Sequence, residues 1–182
     1  ARISTFYKPE KIKSYFGDGS NFGLQLDYLD EKEPMGTAGA LRMVEDWPDP
    51  MLVLNGDILT RLSYAGMLAF HREHQAALTV AVREYEMQVP YGVIEQEGAR
   101  VRSIREKPRQ CYFVNAGIYL IGRQARPFIP SEGRFDMTDL INVLLAKGER
   151  VVSFPVHEYW LDIGQHADYH RAQADAAQLL CA

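Results

Sequence analysis

The sequence predicts an α/β domain built on a mixed sheet, and three observations carry that prediction. Apolar, β-branched segments alternate with segments of helical period from Arg2 to Val82, as strands joined by crossover helices do. From Gly92 the texture changes to closely spaced strand-like segments around a turn at Glu97-Gly98, the pattern of antiparallel strands. The chain of 182 residues is 47% hydrophobic and 24% charged, a balance that buries one core. A ligand site is expected where the parallel and antiparallel halves meet.

Each element has its own local signal. Arg2 to Phe6 reads as a short strand. Pro9 suits the first turn of a helix that carries Ile12, Tyr15 and Phe16 on one face, and Gly17 can end it. Leu24, Leu26 and Tyr28 alternate with polar neighbours, which predicts a strand. Thr37 to Glu45 is predicted helical, and Met51 to Asn55 is a continuous apolar run of the kind buried on both faces of a sheet. Ser63 can cap a helix with Tyr64, Met67, Leu68 and His71 on one face, after which Ala77 to Val82 returns to strand. Gly92 to Glu95, Val101 to Ile104 and Tyr112 to Ile121 form the antiparallel set. A helix from Thr138 to Lys147 ends at Gly148, Val151 to Phe154 is a strand, and an Ala-rich helix runs from Gln165 to about Leu180. No repeat, low-complexity tract or linker divides the sequence, so residues 1–182 are read as one domain.

Composition excludes several function classes. Twenty Lys+Arg against 24 Asp+Glu give a net charge of -4, with the basic residues scattered singly. That disfavours a nucleic-acid partner. Apolar stretches such as Met51 to Leu54 are far too short to cross a bilayer, and no secretory pattern opens the chain. Cys111 and Cys181 lie far apart without metal-ligand spacing, which suggests a reduced, cytoplasmic setting. Of the histidines only His166 and His170 have i, i+4 spacing, without a third ligand for zinc. No nucleophile elbow or Cys-His pair is present.

Ligands of open α/β sheets gather beyond the carboxyl ends of strands. Asp57 occupies such a place, after an apolar run and Asn55-Gly56, although a turn or helix cap also explains it. Asp162 has a similar setting before Ile163-Gly164, with a cap again the alternative. Two carboxylates from separate strand ends can hold one Mg²⁺ and leave room for phosphate oxygens. The small-residue segment from Pro34 to Ala40 opens its backbone to a flat or anionic group. In Glu106-Lys107-Pro108, Lys107 can reach a phosphate while Glu106 accepts sugar hydroxyls, or the two form an exposed ion pair. Asn115-Ala116-Gly117 interrupts an apolar strand, either to bond a sugar or to satisfy a bulge.

Taken together these segments resemble the sugar-1-phosphate nucleotidyltransferases, the pyrophosphorylases that make nucleotide sugars. The likeness runs in order through Tyr15-Phe16-Gly17-Asp18-Gly19, Pro34-Met35-Gly36-Thr37-Ala38-Gly39-Ala40-Leu41, Asn55-Gly56-Asp57, Pro90-Tyr91-Gly92-Val93, Glu106-Lys107-Pro108, Val114-Asn115-Ala116-Gly117-Ile118-Tyr119 and Trp160-Leu161-Asp162-Ile163-Gly164. Arg83-Glu84-Tyr85-Glu86 ahead of Pro90 is similar to the mannose-1-phosphate guanylyltransferase-like branch, including bacterial enzymes that activate sugars for surface glycans.

The resemblance implies a Rossmann-like mixed sheet of the nucleotide-diphospho-sugar transferase type. It implies Mg²⁺ on Asp57 and Asp162, with Lys107 as the third catalytic group, and Gly36, Thr37 and Gly39 beside Asp57 at the nucleotide. Gly92, Glu106, Lys107, Asn115 and Gly117 would face the sugar phosphate. The implied partners are a nucleoside triphosphate, GTP first, and a sugar-1-phosphate, with a homo-oligomer also envisaged. The implied reaction is an in-line displacement at the α-phosphorus with pyrophosphate leaving. On this alignment the family's first strand, its GGxGTRLxPLT loop, the next helix and a lysine beyond the loop have no counterpart in the sequence. The 182-residue chain alone is therefore expected to associate and to lack pyrophosphorylase turnover. Two further readings are a non-catalytic module retaining the sugar-phosphate half and a metal-dependent glycosyltransferase. The second usually needs two acids two residues apart, and Asn55-Gly56-Asp57 supplies one.

Overall fold

Ten strands and four α-helices follow one another in a computed structural model that describes residues 1–179. Leu180, where the last helix was expected to end, and Cys181 lie outside the described residues. In chain order the elements are β1 (Arg2–Thr5), α1 (Pro9–Phe16), β2 (Asp27–Asp30), β3 (Met51–Leu54), β4 (Ile58–Thr60), α2 (Tyr64–Glu73), β5 (Leu78–Gln88), β6 (Val93–Glu97), β7 (Arg100–Arg105), β8 (Arg109–Ile121), α3 (Met137–Ala146), β9 (Val151–Pro155), β10 (Trp160–Asp162) and α4 (His166–Leu179). None of these helices is long and apolar enough to cross a membrane.

The chain divides into two compact units. The first comprises Ala1–Leu52, His71–Leu78 and Leu120–Val151. In it β1 and β2 pair in parallel, Arg2 opposite Asp27 and Thr5 opposite Asp30. Asp30 ties the pair together: it accepts the Thr5 hydroxyl at 3.0 Å and the Lys13 ammonium of α1 at 2.6 Å, and these bonds hold its carboxyl below the usual aspartate range. Helix α1 starts on Pro9 and stops at Gly17 with a φ of 55°, yet it buries no residue. Helix α3 is the better anchored element. Met137, Leu140 and Leu144 are fully buried at i, i+3 and i+7, which keeps one stripe of the helix in the core. An Asp136–Asp139 capping box starts it, and Gly148 in the left-handed region follows its end.

The predicted helix from Thr37 to Glu45 is corrected to a short 3₁₀ turn, Gly39–Met43. Ala38 and Gly39 both turn their amides to the Phe135 carbonyl, and Arg42 folds back to donate to the Gly39 carbonyl at 2.7 Å. The two Phe135 bonds tie the start of the turn to distant sequence. The strand expected around Leu24 to Tyr28 begins later, at Asp27, because Leu24 and Leu26 both donate their amides back to the Asp18–Gly19 turn.

The second unit comprises Val53–Phe70, Thr79–Tyr119 and the described residues from Val152. Most of the four-stranded sheet, in the order β3-β8-β5-β9, lies there. Ala81, Ala116, Ile118 and Tyr119 are buried on its central strands. The expectation that Met51 to Asn55 is buried on both faces fails, since Leu52 and Leu54 are 38% and 42% exposed. Their strand stands at the end of the sheet, where one side lacks a neighbour. β6 and β7 form the expected antiparallel hairpin, with Gly98 at positive φ in its turn and a bulge between Glu95 and Gln96. Two strands went unanticipated: β4 and β10, three residues each, pair antiparallel. At that length neither gives a period to read.

Candidate functional site

Asp57 and Asp162 are brought together by that short ribbon. Asp162 lies opposite Ile58 in the ladder, and the Ile163 amide donates to the Asp57 carbonyl at 2.8 Å. Both acids are exposed and enter from adjacent positions at one end of the ribbon. Its other end is fixed by the Tyr159 carbonyl, which accepts the Thr60 hydroxyl at 2.9 Å and the Arg61 amide at 3.0 Å. Arg83 pins the approach to β10 by donating to the carbonyls of Val156 and Glu158 at 2.9 and 3.0 Å. Directly after Asp162 a cleft of about 600 Å³ opens, lined by Ile163, Gly164, Gln165, His166 and Tyr169.

The Asn115–Gly117 segment abuts the same ribbon. The Asn55 amide donates to the Gly117 carbonyl at 2.9 Å, and the Trp160 indole of β10 donates to the Ala116 carbonyl at 2.8 Å. Gly117 has a φ of 71°, and a Cβ there would lie 2.8 Å from Asn55 Nδ2 and 3.2 Å from Ile58 Cγ1. Only glycine suits both the backbone and the space. Asn115 accepts the Gly117 amide at 3.0 Å and donates to the Tyr119 hydroxyl at 2.7 Å. Burial pushes the Tyr119 phenol up from its ordinary value, so it stays protonated, with the Asn115 bond acting in the opposite sense. Asn55, Tyr119 and Trp160 thus support this corner; each lies in a segment of the family likeness, but no site role is read for them there.

Gly92, Glu106 and Lys107 gather at the open end of the β6–β7 hairpin. A Cβ on Gly92 would meet Glu106 Oε2 at 3.0 Å. Lys107 donates its amide to the Tyr91 carbonyl at 3.3 Å, and its φ is 44°, a left-handed conformation rare for a residue with a side chain. Both Glu106 and Lys107 are exposed. They stand just ahead of β8, nine and eight residues before Asn115 along the chain.

The Gly36–Gly39 segment belongs to the first unit. Thr37 is exposed, Gly36 half-buried and Gly39 buried. The segment is held by residues 135–137, a partner the sequence did not disclose. Thr37 donates its amide to Asp136 Oδ1 at 2.9 Å, and the Met137 amide donates to the Thr37 hydroxyl at 2.8 Å. The Thr37 amide bond holds the Asp136 carboxyl below the ordinary aspartate range, against the opposing effect of burial and with help from Arg134. The Asp-x-x-Asp spacing of Asp136 and Asp139 signals a helix start. It does not signal a contact across 99 residues.

Among the described residues no three His, Cys, Asp or Glu side chains form a metal cluster. Two carboxylates with open surroundings are the donor set of a Mg²⁺ that also takes water and phosphate oxygens. Asp57 and Asp162 are two exposed carboxylates of that chemical type.

The sequence model described as nucleotidyl transferase matches residues 1–178. A mannose-1-phosphate guanylyltransferase of Mycobacterium tuberculosis is 32% identical over 180 residues, covering 95% of this chain and 50% of that protein. A UTP–glucose-1-phosphate uridylyltransferase of Synechocystis is 28% identical and covers 93% and 49%. The chain therefore spans about half the length of the curated relatives it matches. Among solved structures, HddC from Yersinia pseudotuberculosis, also solved complexed with GMP-PN, superposes with a TM-score of 0.70 at 24% identity, over 96% of this chain and 77% of HddC. The mixed α/β fold is thus that of these proteins.

Proposed function

The chain belongs to the nucleotidyl transferase family, and on that premise we propose that it serves the transfer of a nucleotidyl group from a nucleoside triphosphate, GTP first, to a sugar-1-phosphate in cytoplasmic nucleotide-sugar synthesis. An oxygen of the sugar phosphate attacks the α-phosphorus, a P–O bond forms, the bond to the β-phosphate breaks, and pyrophosphate leaves with the electron pair. No covalent enzyme intermediate is needed, so positioning and charge neutralisation carry the rate.

Asp57 and Asp162 are the proposed holders of Mg²⁺, which when bound would neutralise phosphate charge. Lys107 is the proposed cation for the sugar phosphate. Its left-handed backbone at an exposed position supports a functional reading, because such strain persists where surrounding structure imposes it. Gly92, Glu106, Asn115 and Gly117 are proposed to face the sugar, and Gly36, Thr37 and Gly39 the nucleobase. The observation that supports the reading best is the β4–β10 ribbon, which sets the two acids at adjacent positions.

The preference for GTP rests on the likeness to guanylyltransferases, and the relative named for UTP and glucose-1-phosphate sets the alternative to separate. The step to measure for this chain is binding. Calorimetric titration with GTP, UTP and dTTP, and with mannose-1-phosphate against free mannose, tests it. GTP should bind most tightly, and the sugar phosphate far better than the sugar. Binding of intact nucleotide sugar alone, with neither substrate, would favour a glycosyltransferase instead.

A further inference from the structure

Side chains alternate along a strand, and residues paired across an antiparallel ladder share a face. In the β4–β10 ribbon Trp160 pairs with Thr60 and Asp162 with Ile58, so these four side chains stand on one face and those of Leu59 and Leu161 on the other. Two contacts made by different residues show where the first face turns. The Trp160 indole donates to the Ala116 carbonyl at 2.8 Å, and Ile58 Cγ1 lies 3.2 Å from the place a Cβ on Gly117 would take. The face that carries Asp162 is therefore turned to the Asn115–Gly117 segment. Asn115 is itself fixed there, accepting the Gly117 amide and donating to the Tyr119 hydroxyl. All of these residues belong to the second unit.

We propose that Trp160 is a positioning residue: its indole N–H ties the ribbon that carries Asp162 to the Asn115–Gly117 segment, so that a Mg²⁺ on the acids and a sugar phosphate beside Asn115 strengthen one another's binding. The proposal rests on the functional reading of those two groups of residues given above. A ribbon of two three-residue strands does not hold its own position. The indole bond anchors its β10 strand to β8, a strand of the four-stranded sheet. Trp160 acts through Asp162, two residues along the same face, and so its contribution belongs to the coupling between the two ligands. Such coupling is reciprocal, so it can be read from either ligand.

The experiment titrates mannose-1-phosphate with and without Mg²⁺ into the wild-type chain, Trp160→Phe, Asp162→Asn, the double variant and Leu161→Ala, and records the thermal midpoint of each. The readout is the ratio of the two affinities, which in the wild type should favour the Mg²⁺ arm. Trp160→Phe keeps an aromatic ring and removes the N–H. It should lower the ratio by about two- to tenfold, the worth of one intramolecular hydrogen bond, and leave the Mg²⁺-free affinity as it is. Asp162→Asn should bring the ratio close to one, and Trp160→Phe should add nothing in that background. Leu161→Ala truncates a buried side chain on the opposite face, so it should lower the thermal midpoint and spare the ratio. A ratio unchanged in Trp160→Phe, a ratio that survives Asp162→Asn, or equal losses in Trp160→Phe and Leu161→Ala would overturn the proposal. So would a wild-type chain that binds the sugar phosphate equally with and without Mg²⁺. A wild-type chain that binds neither mannose-1-phosphate nor GTP would instead overturn the functional reading on which it rests.

Discussion

Among the proposed site residues, Gly36, Lys107 and Gly117 hold the backbone at positive φ. Gly36 combines a φ of 80° with neighbours 2.6 and 2.7 Å from a would-be Cβ, so Gly36→Ala must displace the Phe135–Asp136 backbone. A loss of roughly 1–3 kcal/mol in stability is expected, read as a fall in the denaturant midpoint. Gly133→Ala serves as control, since its φ is 76° but nothing lies within 4 Å of the added methyl. At Lys107 the exposed ammonium matters more than packing. Lys107→Ala should weaken a sugar-1-phosphate much more than the free sugar, because the lost partner is a charge; equal losses would remove Lys107 from the site. Asp136 adds a pH dependence. Its folded-state carboxyl titrates below the ordinary 3.8, so its stabilisation is complete above that value and is lost as pH falls through the lower folded-state value. The difference in thermal midpoint between wild type and Asp136→Asn should therefore vanish in strong acid, and a difference that persists there would exclude the carboxylate charge as its source.

Element by element, the sequence is readable where a long periodic segment meets its own cap, and unreadable where distant residues decide the conformation. Helix α3 illustrates the first case: its apolar stripe, capping pair and terminal glycine are all local, and the observed Met137–Ala146 departs from expectation by one residue at each end. The segment after Thr37 illustrates the second. In place of the helix stands a 3₁₀ turn whose start is tied to Phe135 through two amides, and no window around residue 40 contains that tether. The candidate site divides in the same way. The residue types and their order along the chain pointed to Asp57 and Asp162, whereas the β4–β10 ribbon, which pairs Asp162 with Ile58 next to Asp57, is two three-residue strands with nothing periodic to detect. Packing tests α3 directly. Leu140→Ala removes a fully buried side chain and should cost about 2–5 kcal/mol. Leu145→Ala, at 56% exposure, should stay within about 0.5 kcal/mol. Similar losses in chemical denaturation would mean that the stripe is misassigned.

At the scale of the whole chain, two compact units carry different parts of the proposed chemistry: the Gly36–Gly39 segment in one, the acids and the sugar-phosphate residues in the other. β1 bonds only to β2, and β3 only to β8, among the described strands. Open edges of this kind pair with other chains, and Phe6 and Tyr7 beside β1 are 48% and 72% exposed. Sedimentation of the 182-residue chain should therefore show concentration-dependent association, and a monomer at all concentrations would mean the edges are protected. The central claim concerns the two acids. Its most direct test is the calorimetric titration of GTP into the wild-type chain and Asp57→Asn, each with and without Mg²⁺. The account predicts Mg²⁺-dependent binding by the wild type that disappears in Asp57→Asn while the circular dichroism spectrum is unchanged. Binding that is equally strong with and without Mg²⁺, or equally reduced in both by the substitution, would contradict it.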